Sequence, residues 1–174
     1  MEFKLSINQF YQVECYKQDG VIPEMPDRAY WGPLVMWRED FSNLVVTAGL
    51  NKYLDATLKT GLQTPAWYVG LKTTGTASAA DTLASHPTWT ESNPYSGNRP
   101  AWTPGNISSG SVDNSASKAV FTCTSAATVA GAFMASVATG TTGTLLGVGD
   151  FTSARAVVTD DVLNVTVTCT LTAS

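Results

Sequence analysis

The only histidine of the chain, His86, is the first residue to consider for chemistry, because catalytic triads and many zinc sites use histidine. Pro87 follows it, and no cysteine or second histidine stands at the short spacing of a zinc site. No glycine-x-serine-x-glycine nucleophile turn occurs in the chain either. We therefore predict that His86 is a loop histidine bonded to the backbone. We also predict no catalytic residue, no metal site and no cofactor.

Two further patterns could carry chemistry. Glu91 with Asp81 or with Asp113 is the best available carboxylate pair for glycoside hydrolysis, which needs two acids beside the scissile bond. The glycine-rich stretch 140–149 could suggest a phosphate loop, but it lacks the Gly-Lys-Ser/Thr ending of such loops. Turns and close packing between strands explain these glycines better. The sequence therefore predicts that the protein is not an enzyme.

The aromatic residues are the remaining candidates for a functional surface. Tryptophan and tyrosine are enriched where proteins contact one another, and exposed rings can also stack on sugars. The candidate partner-contact residues are Trp31, Trp37, Trp89, Tyr95 and Trp102. We favour core or subunit-interface anchors over a sugar platform, because a thin β-sheet shell must pack its five tryptophans somewhere.

Composition excludes several classes of partner. The chain has 174 residues, which suits one domain, and a net charge of −4 with no basic cluster, which argues against nucleic-acid binding. No apolar run approaches the roughly 18 residues of a membrane span, and the N-terminus lacks a signal-peptide pattern. Folding in a reducing cytoplasm is expected, with Cys15, Cys123 and Cys169 as free core thiols. A Cys123–Cys169 bridge is the open alternative.

The sequence predicts β-strands over most of the chain. Over 161–172, Leu163, Val165 and Val167 fall on one face and the alternate positions carry Asn or Thr, which is the pattern of a half-buried strand. Shorter strands are predicted at 11–16, 34–38, 65–72, 118–124, 128–134, 143–148 and 154–158, with the fourth and fifth of these forming a hairpin. Several short strands at such spacing predict a sandwich or a barrel.

One helix is predicted near residues 47–59. Its apolar residues recur at helical spacing and should pack against the sheet; they are Leu50, Tyr53, Leu54, Thr57 and Leu58. Gly61 stands where a helix often ends.

The remaining segments complete the predicted fold. Residues 1–40 carry denser charge and several prolines, so we predict an N-terminal arm with short strands, followed by a β body over 41–174. Residues 73–110 hold few strand signals and predict a long loop that aromatic residues fix to the body. The predicted fold class is all-β with one short helix: an antiparallel β-sandwich or barrel with an N-terminal arm.

Several blocks of the chain are similar to a family of structural proteins from tailed bacteriophages. The blocks are 43–55 (NLVVTAGLNKYLD), 66–72 (AWYVGLK), 99–105 (RPAWTPG), 111–122 (SVDNSASKAVFT) and 143–151 (GTLLGVGDF). The resemblance covers about residues 41–170. It implies a virion protein assembled in the host cytoplasm, and it carries no catalytic residues.

Three hypotheses follow from this resemblance. The first is a capsid decoration, or cement, protein that binds major capsid subunits as a homo-oligomer, with a trimer favoured. In this hypothesis the arm, residues 1–38, lies along the capsid, with Trp31 and Trp37 as anchors. The second is a tail or fibre component that binds host-surface glycans through Trp89, Tyr95 and Trp102. The third and least supported is a virion enzyme that uses Glu91.

Overall fold

The alternating C-terminal segment forms the strand around which the first sheet is built. The computed structural model describes residues 5–17, 34–59 and 61–173, so Trp31 lies outside the described residues. The strands are β1 (Leu5–Lys17), β2 (Leu34–Ser42), β3 (Leu44–Val45), β4 (Trp67–Lys72), β5 (Glu91–Ser92), β6 (Ala101–Trp102), β7 (Ser111–Asp113), β8 (Ala119–Thr122), β9 (Ala127–Ala135), β10 (Leu145–Val157) and β11 (Asp161–Ala173). The helices are α1 (Thr47–Leu58) and a short 3-10 helix (Ser115–Ser117).

Two antiparallel sheets form a sandwich, which confirms the predicted all-β class. The first sheet has the order β2-β1-β11-β7, and β8 pairs with β11 beside β7. The second sheet has the order β3-β10-β9-β4-β5, and β6 also pairs with β4. Because side chains alternate along a strand, each sheet turns one apolar face towards the other.

The space between the sheets holds the main core. β11 contributes Leu163, Val165 and Val167, as its alternation predicted, and β9 contributes Ala132 and Met134. The rings of three aromatic residues join β1, β2 and β10 at one end of this core. They are Tyr11, Phe41 and Phe151.

An ion pair between a buried glutamate and a half-buried arginine also connects the two sheets. Glu39 on β2 is only 4% exposed, and its carboxylate accepts bonds from the Arg155 guanidinium at 2.8 Å and from the Thr152 amide at 3.2 Å, both on β10.

A second apolar layer covers the outer face of the second sheet. Phe133 on β9 points away from the main core and packs with Trp89 and Leu83 from the loop that follows β4. Val46 and Ala48, at the start of α1, belong to the same layer. The long loop predicted at 73–110 is thus packed on the sheet, and it contains β5 and β6.

The predicted N-terminal arm is corrected by the pairing of β1. All thirteen residues of β1 pair with β11, and most of them also pair with β2 on the other side. Tyr11, Val13 and Cys15 are buried in the main core. Residue 40 is therefore no boundary in the described residues, because β2 runs through it and both strands belong to the sandwich.

The cysteines are free, as we favoured, and the alternative Cys123–Cys169 bridge is wrong. The Cys123 amide donates to the Asp161 carbonyl at the start of β11, whereas Cys169 lies eight residues further along that strand. At about 3.3 Å per residue, the two cysteines stand roughly 26 Å apart. Burial raises the pKa of the Cys15 thiol to about 12 and that of Cys123 to about 11, so both thiols stay protonated near neutral pH.

Candidate functional site

Trp89 and His86 pack together in a structural cluster that shields the indole from solvent. Trp89 is 2% exposed, and its indole N–H donates to Asp81 Oδ2 at 2.8 Å. The His86 ring stacks on the indole with centroids 3.9 Å apart, and His86 Nδ1 lies 2.8 Å from the Trp89 carbonyl oxygen. The prediction of a loop histidine bonded to the backbone is confirmed.

Lys72 is the most deeply buried charge in the same region. Its side chain is 0% exposed, and the ammonium donates to the carboxylate of Asp150 and, at 2.6 Å, to the Gly75 carbonyl. It also lies 5.8 Å from the centre of the Trp89 ring. Lys72 on β4 and Asp150 on β10 are both opposite Gly131 of β9, so the lysine crosses the middle strand where no side chain blocks it.

We expect loss of the Asp150 carboxylate to destabilise the protein. Asp150→Ala leaves the Lys72 ammonium buried without its anion and should lower the free energy of unfolding by about 1–3 kcal/mol. The effect is moderate because Asp150 is 39% exposed and water can reach the site. Urea denaturation measures the change.

The control combines Lys72→Met with Asp150→Ala, because Lys72→Met removes the buried charge while keeping an apolar side chain. The double variant should be more stable than Asp150→Ala alone, since no ammonium is left unpaired. A double variant no more stable than Asp150→Ala would contradict this account of the pair.

Arg99 fixes the later part of the loop 73–110 to the connection between β9 and β10. It is 5% exposed and binds both carboxylate oxygens of Glu91 at 2.7 Å, as well as the carbonyls of Val137 at 2.9 Å and Gly140 at 3.0 Å. No local pattern of residues indicates this contact, because Arg99 and Gly140 are far apart in the chain. Glu91 is thereby committed to a structural ion pair.

The carboxylates considered for glycoside hydrolysis, Glu91 with Asp81 or Asp113, are engaged in separate contacts. Glu91 binds Arg99, while Asp81 accepts from the Trp89 indole and the Ser78 amide. Asp113 accepts from the Ser115 amide at 2.7 Å, and hydrogen bonding from the Ser115 hydroxyl and amide lowers the pKa of this carboxyl. In the described ranges, no group of three or more His, Cys, Asp or Glu residues could hold a metal ion.

The other candidate aromatics are half-buried and lie in separate places. The Tyr95 ring meets Phe121 edge-on at 4.8 Å, and burial raises the pKa of its hydroxyl. The Trp102 indole donates to the Val167 carbonyl at 3.2 Å. Trp37 packs edge-on against Phe151 at 5.9 Å. With Trp89 buried, the structure does not bring the three rings of the glycan hypothesis together as one exposed platform.

Several clefts open on the surface of the described residues. A polar cleft of about 270 Å³ lies over the Glu91–Arg99 pair and is bordered by Asn93 and Tyr95. Two other clefts, of about 280 and 220 Å³, flank α1 and share Tyr53 and Leu146 in their walls. The smaller of these two is lined mainly by apolar groups, among them Ile7 and Leu171.

The largest departure from the sequence prediction is the orientation of α1. Its buried residue is Gly49, whose Cα packs so closely on the Leu146 backbone that a Cβ would clash with it. Leu50, Leu54 and Leu58, which we predicted to face the sheet, are instead 38%, 47% and 77% exposed. We call these three residues the leucine row. Leu62, four residues beyond it, is 85% exposed.

The leucine row forms one uncharged strip on the outside of α1. Each residue of an α-helix turns about 100° from the last, so Leu54 points about 140° away from Gly49 and the three leucines span about 80°. The charged residues of the helix, Lys52 and Asp55, lie about 160° and 100° from Leu54. Lys52 donates to the Leu62 carbonyl at 2.8 Å and holds the following segment against the helix.

Comparisons with known proteins give no family for this chain. No protein-family model matches the sequence, and no curated protein is found to match it. The similarity to bacteriophage structural proteins therefore stays a prediction from the sequence blocks. No helix in the described part of the chain is long and apolar enough to cross a membrane.

Proposed function

We propose that the protein is a non-enzymatic structural protein of a bacteriophage virion that decorates the capsid by binding major capsid subunits. The observation that carries this proposal is the leucine row. Contiguous exposed apolar side chains of this kind are typical of surfaces that contact another protein. The row therefore favours a protein that works in an assembly, and the resemblance of the sequence supplies the virion as that assembly.

The construction of the sandwich supports a mechanical role. Ion pairs tie Glu39 to Arg155 between the sheets, and Lys72 and Arg99 fix the long loop to the second sheet. Many copies of a stiff body, each making weak contacts, add their binding through avidity on a repetitive shell. Since β1 and β2 lie within the sandwich, the capsid contact is assigned to the surface of the body and no longer to a free arm.

Reconstitution on phage heads tests the proposed function. Heads from a phage that lacks this gene are mixed with purified protein, and the bound protein is measured after sedimentation. We expect saturable binding at a fixed number of copies per head, with greater resistance of the heads to heat. Heads assembled from an unrelated phage are the control and should bind none. Absence of saturable binding to the matching heads would contradict the proposal.

The glycan hypothesis retains one specific site. Tyr95 borders the polar cleft with Asn93, and the Glu91–Arg99 pair forms its floor. A glycan array with the purified protein tests it, and Asn93→Ala should abolish any signal that depends on this cleft. We keep it second, because the Tyr95 ring is engaged with Phe121 and so offers little surface for stacking.

A further inference from the structure

We propose that the side chains of Lys72 and Asp150 become joined by an amide bond, which makes the two residues a site of covalent cross-linking within the chain. The ion pair described above is the state before this step. The inference concerns the chain by itself and does not depend on the proposed function, because the bond is detected in the purified protein without phage heads.

The two reacting groups are held together by neighbouring parts of one sheet. The Lys72 side chain is 0% exposed, and its nitrogen contacts Asp150 Oδ1. Both residues lie opposite Gly131 of β9, where a Cβ would come within 2.9 Å of the lysine side chain. The absence of that Cβ lets the lysine cross the middle strand. Positioning of this kind corresponds to effective concentrations of roughly 10⁵–10⁸ M for the reacting groups.

The contact between the two side chains supplies the steps of amide formation. A proton passes from the Lys72 ammonium to Asp150 Oδ1 within their hydrogen bond, and the neutral nitrogen then attacks Cγ of Asp150. A second proton moves from the nitrogen to Oδ1, the Cγ–Oδ1 bond breaks, and one water molecule leaves. Ammonium and carboxylate thus give an amide and water, with no oxidant or reductant and no change of net charge.

Two backbone groups orient the reacting atoms. The Ala77 amide donates to Asp150 Oδ2 at 3.3 Å, so it faces the oxygen that becomes negative when Cγ is attacked. The Gly75 carbonyl accepts from Lys72 Nζ at 2.6 Å and remains the acceptor for the one N–H that the amide retains. Both groups belong to the segment that follows β4, which therefore completes the site.

Burial favours the amide over the ion pair. A buried ammonium carries a cost of lost hydration, which an uncharged amide avoids. The Trp89 ring lies 5.8 Å from the Lys72 nitrogen and is itself only 2% exposed. Asp150 is 39% exposed, so the released water can leave the site. The bond would join β4 to β10 across 78 residues of chain and would restrict the unfolded state as a disulfide does.

The mass of the intact protein tests the inference. We expect the purified full-length chain, measured by mass spectrometry under denaturing conditions, to be lighter than its sequence requires by one water, about 18 Da. Protease digestion should release one branched peptide that contains both residue 72 and residue 150. Fragmentation of this peptide locates the bond and distinguishes it from loss of water within a single aspartate.

Lys72→Arg separates the bond from the ion pair. The guanidinium keeps its positive charge beside Asp150 and does not deprotonate to a nucleophile, so this variant should have its full mass. Lys118 and Glu14 are the matched control within the wild-type chain, since their charged atoms are 2.7 Å apart but their side chains are 30% and 13% exposed. Peptides that contain these two residues should be unlinked. The wild-type measurement does not depend on how the variant folds.

Two kinds of result would overturn the inference. A wild-type mass equal to that of the sequence would show that Lys72 and Asp150 remain an ion pair. A loss of water that persists in Lys72→Arg, or that maps to another place in the chain, would show a different modification. Neither result bears on the proposed function, whose test measures binding to phage heads.

Discussion

Replacement of Val13 with aspartate is expected to abolish the cooperative unfolding transition of the protein. Val13 is fully buried in the middle of β1, between Val165 of β11 and Glu39 of β2. An unpaired carboxylate at this position costs at least about 4 kcal/mol, which is comparable with the whole stability of many domains. Thermal unfolding followed by circular dichroism measures the loss.

Asn8→Asp is the matched control, because it introduces the same charge at an exposed position of the same strand. It should change the melting temperature little. Deletion of residues 1–30 should have the same effect as Val13→Asp, since it removes the strand between β2 and β11. A truncated protein that melts cooperatively would show that the body folds without β1, as the arm hypothesis required.

Replacement of Trp89 with alanine is expected to lower the free energy of unfolding by about 3–5 kcal/mol. The indole fills the layer between Phe133 and the His86 ring, and its N–H satisfies Asp81. Its removal leaves a cavity beneath the loop and an exposed face on Lys72. Urea denaturation measures the loss, and hydrogen exchange should increase first in residues 73–90.

Trp89→Phe separates packing from hydrogen bonding. It keeps a ring against Phe133 but leaves Asp81 without the indole donor, so a smaller loss of about 1–3 kcal/mol is expected. If Trp89→Ala left stability unchanged and instead abolished glycan binding, the ring would be a contact residue as the second hypothesis held.

Strands with strong alternation were predicted well from the sequence, but the strands that pair with them in the sheets were predicted poorly. The 161–172 segment and the helix near 47–59 correspond closely to β11 and α1. Both were predictable because the alternation of apolar residues along a strand and their spacing along a helix are local properties of the sequence. The predicted hairpin is wrong, since β8 joins β11 and β9 joins β10 and β4 in the other sheet. A short connection between strands does not reveal that the chain crosses from one sheet to the other.

Two strands predicted at 143–148 and 154–158 are one long strand, β10. Its pairing with β9 shifts register between Asp150 and Arg155, in the segment that separates the two predicted strands. The strand continues through this segment, in which Asp150 pairs with Lys72 and Arg155 pairs with Glu39. Asp150, which stands between the two predicted strands, thus forms an ion pair with a distant partner that local patterns do not reveal.

The candidate site was predicted only in part. The aromatic residues were correctly expected to fix the long loop, with Trp89 the clearest case. The Lys72 and Arg99 contacts were missed, because each pairs residues whose proximity depends on the sheet order. The apolar face of α1 was recognised by its spacing, but its direction was assigned wrongly. Gly49 was the local feature that indicates which face of α1 contacts the sheet, because a residue without a side chain permits the closest approach.

Immunogold labelling of intact virions tests most directly the claim that this chain is a capsid decoration protein. Antibody against the purified protein is applied to particles of the phage whose genome encodes the chain. The account predicts gold particles distributed over the head shell, and none on heads from a phage that lacks the gene. Label confined to the tail or its fibres, or virions that carry no label, would contradict it.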